Sequence, residues 1–467
     1  MTKKIPSSSA IDLGKDPVRK CFTHYLLPAM TGMVIKSLYV VADAMFIGHA
    51  MGESGLAAMN IVIPYFSFMF ATAMMIGVGG SALMGIRFGE GKIAEGQIIF
   101  RQAITLITAA MLVITSATLY WQSDIVRIFG AQGELIPLSQ AYISTLTLFS
   151  TPYAIGWVLS NFIRNDGNPK LVMRAMVASA LTNIVLDWLF MIVWGWGMFG
   201  GALATGIAQL SMTVIMLWHF RSPARRLVLK FIRPDFSQIR AILVNGMPTM
   251  IMESSVGILI LISNWVLLKL GGNLYLSVYG IALNCMWLVV LLTYGVCQAI
   301  QPLISFNHGA GQHQRILESL NVSMTLVMVL CVVTGGLGIL FPGEIVSAFV
   351  ATPSSEMIQL GEFVMAIYAL SVIPMALNII VMTVYQAIAL SKISSAMSLS
   401  RGLVLPTTGL FILPQLLEAK AVWGNVLVAE VITVVYSLYL LMNYRKKLQQ
   451  KIEKIPINHG SPTLRAA

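Results

Sequence analysis

Twelve apolar runs, most of them as long as a bilayer requires, constrain this chain more than any other feature. Their approximate cores are 24–47, 56–85, 102–121, 137–163, 175–195, 200–219, 245–268, 275–304, 320–341, 360–388, 402–417 and 421–443. A helix crossing the hydrocarbon layer takes about 20 residues. Backbone polar groups in lipid must be satisfied within the segment, so runs of this length predict helices and exclude a β-barrel. Composition agrees: 57% of the residues are hydrophobic and 10% charged, against about 25% charged in soluble domains. The expected fold is an all-α integral membrane protein.

A net charge of +11 would suggest nucleic acid in a soluble protein. Here the positive charges follow the loops and report topology instead. With the N-terminus inside, 26 of the 30 Lys and Arg fall on inner segments, Arg401 among them. Only Arg127, Lys269 and Lys420 fall outside, and Lys36 lies within a span. That asymmetry predicts both termini in the cytoplasm. Cys21, Cys285, Cys297 and Cys331 show no metal spacing and read as free thiols.

The chain also repeats. Gly77 matches Gly295, Phe88 matches Phe306 and Gly91 matches Gly309, all at an offset of 218. Pro28 matches Pro248 at 220, Pro152 matches Pro374 and Lys170 matches Lys392 at 222, and Gly201 matches Gly424 at 223. Two six-span halves entering from the same side are a transporter signature. The expected organisation is a tail (1–20), an N-lobe (21–220), a basic linker (221–240), a C-lobe (241–444) and a second tail (445–467).

Charges inside spans are costly and mark function by default. Asp43, Asp187, Glu253 and Glu430 are the acids in question, and Lys36 the base. Lys36, Tyr39 and Asp43 share one face of the first helix, which Pro28 is placed to bend. Asn183 and Asp187 share one face of the fifth. The short turn 195–200 makes the fifth and sixth spans antiparallel neighbours and brings Thr205 toward Asp187. Two carboxylates, an amide and a hydroxyl suit a sodium ion, or the carboxylates share a proton. The alternative is that Asn183, Asp187 and Thr205 serve only as interhelical glue, for which two unpaired aspartates would be expensive. Lys36 either pairs with Asp43, meets an anionic or zwitterionic group of a substrate, or snorkels to water.

These residues carry a resemblance. The stretch LYVVADAMFIG with Asp43, the loops RFGEGK and RNDGNPK, the span TNIVLDWLF and the segment GGALATGIAQ, in this order on a six-plus-six frame, resemble the multidrug and toxic compound extrusion (MATE) family. The match is to its prokaryotic branch, of the DinF and MepA type, over residues 20–445. The resemblance implies a V-shaped pair of lobes around a cavity that opens alternately to each side. It implies antiport: export of amphipathic, mostly cationic organic compounds against inward protons or sodium ions. It places the cation-coupling site on Asp43, Asn183, Asp187 and Thr205. No cofactor is expected, and no metal beyond sodium at that cluster.

Glu253 matches an acid on the seventh helix of the NorM-type branch, but Asn378 stands where that branch has a partnering aspartate. Glu253, Asn378 and Glu430 therefore make up a second acidic site that is incomplete as an ion site, with Glu430 read chiefly as a structural carboxyl. Tyr39, Phe66, Tyr153, Trp157 and Met176, with Lys36, are the expected N-lobe cavity wall, and Trp194, Trp196, Trp287 and Trp423 are expected to include interface anchors. His24 and His308 read as loop or cap residues. A bacterial inner-membrane monomer binding small amphipathic molecules is the expectation. The alternative is a flippase for lipid or polysaccharide precursors, whose phosphates call for several cavity cations; only Lys36 clearly sits in a span. HExxH, GxSxG and Walker A patterns do not occur, so neither an intramembrane enzyme nor direct ATP drive is expected.

Overall fold

The computed structural model describes residues 11–223, 225–350 and 354–453. Tail residues 1–10 and 454–467, with the expected inner charges Lys3, Lys4, Lys454 and Arg465, lie outside the described residues. The described chain is helical, with no strand among the described residues.

Two helical runs, Val18–Gly89 and Phe236–Gly309, hold 72 and 74 residues. A straight helix of that length would be about 110 Å long, more than three times the hydrocarbon thickness. Each folds back at one glycine. Gly52 adopts φ 62, ψ −149, and Gly272 adopts φ 60, ψ −149, a region that only glycine enters readily. The first run is thus α1 (18–51) and α2 (53–89), and the second is α7 (236–271) and α8 (273–309). The remaining spans are α3 (Ile93–Ile128), α4 (135–165, interrupted at Phe149), α5 (Pro169–Asp187), α6 (Gly197–Leu217), α9 (His313–Leu340), α10 (Ser355–Ala387), α11 (391–416) and α12 (Asn425–Glu453). α1 keeps helical dihedrals through Pro28.

Turn geometry refines the repeat. Gly91 and Gly311 both have positive φ, and the caps around them match bond for bond: Glu90 N–H to Ile86 and Ala310 N–H to Phe306, Lys92 N–H to Arg87 and Gln312 N–H to Asn307. The offset here is therefore 220, so Phe88 corresponds to His308 and Gly89 to Gly309. The offset of 218 matched like letters two residues out of register. After α4 and α10 the same comparison pairs Asp166 with Ile388 and Gly167 with Ala389. Gly167 has φ 92 and Ala389 φ 60, the one non-glycine residue with positive φ among the described residues. Replacing Ala389 by glycine is expected to stabilise the protein by about 0.5–1 kcal/mol. A raised thermal unfolding midpoint in detergent checks this; an unchanged or lowered midpoint contradicts it.

Each lobe has its own apolar core, yet the cores do not respect the chain boundaries at 21 and 241. Val18, Cys21, Phe22 and Tyr25, at the start of α1, pack into the C-lobe core. Ile242, at the start of α7, packs with Leu227 into the N-lobe core. The segments before these helices follow them across. Arg315 of the C-lobe donates to the Leu13 carbonyl at 2.8 Å and the Asp16 carbonyl at 2.5 Å. Asp166 of the N-lobe accepts from the Arg226 backbone N–H at 3.0 Å and from His219 Nε2 at 2.7 Å.

The lobes meet at this same basic end. Asn245 Nδ2 donates to the Gly79 carbonyl at 3.0 Å, and Gln301 Nε2 to the Val78 carbonyl at 3.3 Å. Gly89 lies against the Phe306 carbonyl, and Gly309 against the Ile86 carbonyl. At an offset of 220 these are the same contact made twice around the pseudo-twofold axis.

Candidate functional site

Asp43 on α1 and Asp187 at the end of α5 face each other inside the N-lobe, 7% and 0% exposed. Their carboxyls are close neighbours, with no hydrogen bond between them. α5 widens into a π-helical turn, Trp188–Val193, directly after Asp187; such turns often occur at functional sites. Asn183, one turn earlier, donates through Nδ2 to Thr205 Oγ1 at 3.3 Å. Asp43 Oδ1, both oxygens of Asp187 and Asn183 Oδ1 are buried with no hydrogen-bond donor among the described residues. Buried acceptors are nearly always satisfied. Two adjacent carboxyls with such orphaned oxygens call for a shared proton or a bound cation. No group of three or more His, Cys, Asp or Glu able to hold a metal occurs among the described residues.

Two neighbours of this cluster escaped the sequence reading. Tyr142 on α4 lies near both carboxylates, and Gln209 on α6 borders the same small void as Tyr39, which stands beside Asp43. The signal was available. Gln209 lies four residues after Thr205 on one helix face, and Tyr142 lies eleven before Tyr153, three turns of α4.

A cavity of about 240 Å³ lies between the lobes, lined from α1 by Met33 and Lys36 and from α7 by Thr249, Met252 and Glu253. Lys36 does not pair with Asp43. Its ammonium sits 4.1 Å above the Phe70 ring and 4.8 Å from that of Trp157, a cation–π arrangement. It senses Glu253 across the cavity, although no ion pair forms between them among the described residues. The cavity therefore presents one base from the N-lobe and one acid from the C-lobe. Trp157 also lines it. Tyr39 and Met176 instead border a small void beside Lys36, and Phe66 and Tyr153 another beside Thr205. Gln298, Gln301 and Gln386, polar residues within spans that the sequence reading passed over, complete the wall.

The expected second acidic site separates into two places. Glu253 belongs to the central cavity. Asn378 on α10 turns toward α12, where its Nδ2 donates to Glu430 Oε2 at 2.7 Å. The strongest partner of Glu430 is Arg401, whose Nη2 donates at 2.6 Å. Arg401 is 9% exposed and Glu430 5%. Arg401 sits in a π-helical turn of α11, Ser400–Val404, and is not an inner-loop charge. Lys36 is thus not the lone base within a span, but Glu430 neutralises Arg401. Truncating one member of a buried pair strands the other charge, at a cost of about 3–5 kcal/mol. Arg401→Ala is expected to unfold far more readily in detergent than Arg401→Met combined with Glu430→Met, and equal midpoints contradict this.

Among the tryptophans, Trp194 and Trp196 stack with Phe190 in a half-exposed cluster. Trp287 lines the central cavity while remaining 37% exposed, whereas Trp423 is buried against Tyr275 and is not a surface anchor.

The architecture of twelve spans in two halves, with these cavities, matches known proteins. A family model described as MatE matches residues 28–189 and 248–407, one segment in each half. This chain belongs to the MATE family. MATE proteins are transporters, not enzymes. Among curated relatives, the multidrug export protein MepA of Staphylococcus aureus (strain MSSA476) is 24% identical over 440 residues, 93% of this chain and 96% of MepA. MepA of Staphylococcus saprophyticus is 22% identical over 439 residues, with the same coverage. Among solved structures, an outward-facing MATE transporter of the MOP superfamily superposes with a TM-score of 0.87 at 19% identity, over 96% of this chain and 99% of that one. A MOP superfamily transporter from Pyrococcus furiosus gives 0.86 at 19% identity, over 96% and 100%. The MATE architecture is thereby secure.

Proposed function

We propose that this MATE protein is an antiporter that exports amphipathic, mostly cationic organic compounds, driven by inward protons or sodium ions at Asp43 and Asp187. The observation that carries the reading is the buried carboxyl pair, without a protein counter-charge among the described residues, on the same helix that delivers Lys36 to the central cavity. Asn183 and Thr205 complete the oxygen set. A cation at Asp43 and a substrate beside Lys36 and Glu253 both act on α1. That shared element is what coupling requires, because each ligand must favour one of the same two states. The named relatives are multidrug exporters, which supports the substrate class. The state described is the one with the basic end closed. By the distribution of Lys and Arg, that end faces the cytoplasm of a bacterial inner membrane, and the protein works as a monomer.

The test uses proteoliposomes loaded with a fluorescent cationic drug, under a proton gradient or a sodium gradient. Efflux driven by one gradient and not the other names the ion. No flux under either gradient removes the reading.

A further inference from the structure

The groove that receives the linker in the N-lobe has a counterpart in the C-lobe with opposite chemistry. In the N-lobe it lies between the α2–α3 loop, the α4–α5 loop and the end of α6. Linker residues fill it: Leu227 is fully buried, and Arg226 lies 4.8 Å over the Phe88 ring. Asp166 holds Arg226, accepting from its Nε at 3.2 Å. In the C-lobe, His308 replaces Phe88 and Ile388 replaces Asp166. The groove has lost its acid and gained a base.

There it forms a cavity of about 500 Å³ between the α8–α9 loop, the α10–α11 loop and the end of α12. His308, His313, Lys447 and Lys451 form a basic rim, and Ile388 and Leu448 contribute to an apolar floor. Among the described residues lining it there is no Asp or Glu, and neither lysine forms an ion pair. The Nδ1 atoms of His308 and His313 and the Tyr444 hydroxyl are buried without hydrogen-bond partners among the described residues. Three orphans around one cavity mark a place for a ligand with polar atoms. The chain beyond Glu453 contains Lys454 and Arg465 and no acidic side chain, so its charge does not complement this rim.

We propose that this cavity binds a phosphate-bearing anion, presented by an acidic phospholipid headgroup or as free phosphate. Basic pockets between helix ends on the cytoplasmic side hold such headgroups, and phosphate oxygens are strong acceptors for lysine and histidine. The apolar floor offers an acyl chain a seat beside its headgroup. The lipid source rests on the orientation proposed above; the phosphate chemistry does not.

The test compares the full chain with Lys447→Gln/Lys451→Gln, both exposed positions, and with Lys170→Gln/Lys230→Gln, which removes equal charge elsewhere on the same end. One arm incorporates each protein into phosphatidylcholine nanodiscs containing phosphatidylglycerol and measures retained phosphatidylglycerol by native mass spectrometry. The other titrates inorganic phosphate onto detergent-solubilised protein and follows the thermal midpoint. Wild type and control are expected to retain the acidic lipid, and the cavity variant to lose roughly thirtyfold in affinity. Saturable binding of inorganic phosphate alone, lost in the cavity variant, assigns the free-phosphate source. Equal losses in cavity and control variants, or no response in either arm, overturn the proposal. Neither arm measures export, so failure of the transport reading is distinguishable.

Discussion

Asp43→Asn and Asp187→Asn are each expected to lower gradient-driven export about a hundredfold, the upper range of a coupling free energy between two sites. Asparagine keeps the size and shape of the side chain but neither takes up a proton nor balances a bound cation. The stability consequence runs the other way. The wild-type pair leaves Asp43 Oδ1 and both Asp187 oxygens without donors among the described residues. An asparagine amide supplies a donor to its neighbour, so the unfolding midpoint of either variant in detergent is expected to hold or rise. Proteoliposome efflux and thermal unfolding, measured on one preparation, separate the two effects. Wild-type efflux in both variants would place coupling elsewhere, with Glu253 the remaining acid in the central cavity. Loss of efflux accompanied by a lowered midpoint would instead make the pair structural.

The second large effect concerns the seal between the lobes. Gly309→Val is expected to shift the protein from the state with its basic end closed toward the opposite state. The α-carbon of Gly309 lies against the Ile86 carbonyl, and Gly89 makes the symmetric contact with Phe306. A side chain has nowhere to go there except by parting α2 from α8. Overpacking of this kind costs about 1–3 kcal/mol, enough to move a two-state population by roughly five- to 150-fold. Cys297, a free thiol lining the central cavity, is a native reporter. Its alkylation by a membrane-impermeant maleimide is expected to rise in inside-out vesicles of Gly309→Val and to fall in right-side-out vesicles. Unchanged labelling from both sides would show that the glycine contact does not control the seal. Gly336→Val, where an added carbon meets nothing within 4 Å, is the control and is expected to label like wild type.

Much of the architecture was legible because membrane spans are long, uniform signals. The hydrophobic runs located the spans, and the repeat located the halves. Letter matching erred where it met α2 and α8, since Phe88 and Phe306 share a letter but not a turn. Capping hydrogen bonds, not side-chain identity, define equivalent positions. The oxygen cluster was legible from helical spacing plus one short turn: Asn183 and Asp187 share a face, and the turn returns Thr205 beside them. The second acidic set was not. Glu253, Asn378 and Glu430 lie on three helices joined by long connections, so spacing carried no information about which faced which. Arg401 looked like a loop charge because it follows a polar stretch, Ser391–Leu399. A π-helical turn rotates it inward to Glu430.

The sequence by itself determined the solvent, the number of spans and the pairing of halves. Those properties follow from summed transfer free energy and from repeated local patterns, which need no knowledge of neighbours. Only the tertiary structure decided where each charge is neutralised. Lys36 faced three fates by sequence, and it lies over Phe70 and Trp157 because α2 and α4 bring those rings to α1. The linker stays against the N-lobe and the N-terminal segment crosses to the C-lobe, because their backbone groups find donors and acceptors there: Asp166 for one, Arg315 for the other. Within a membrane, a charge or a backbone polar group is settled by the nearest compatible partner in space. That partner is set by how helices pack, which no single span records.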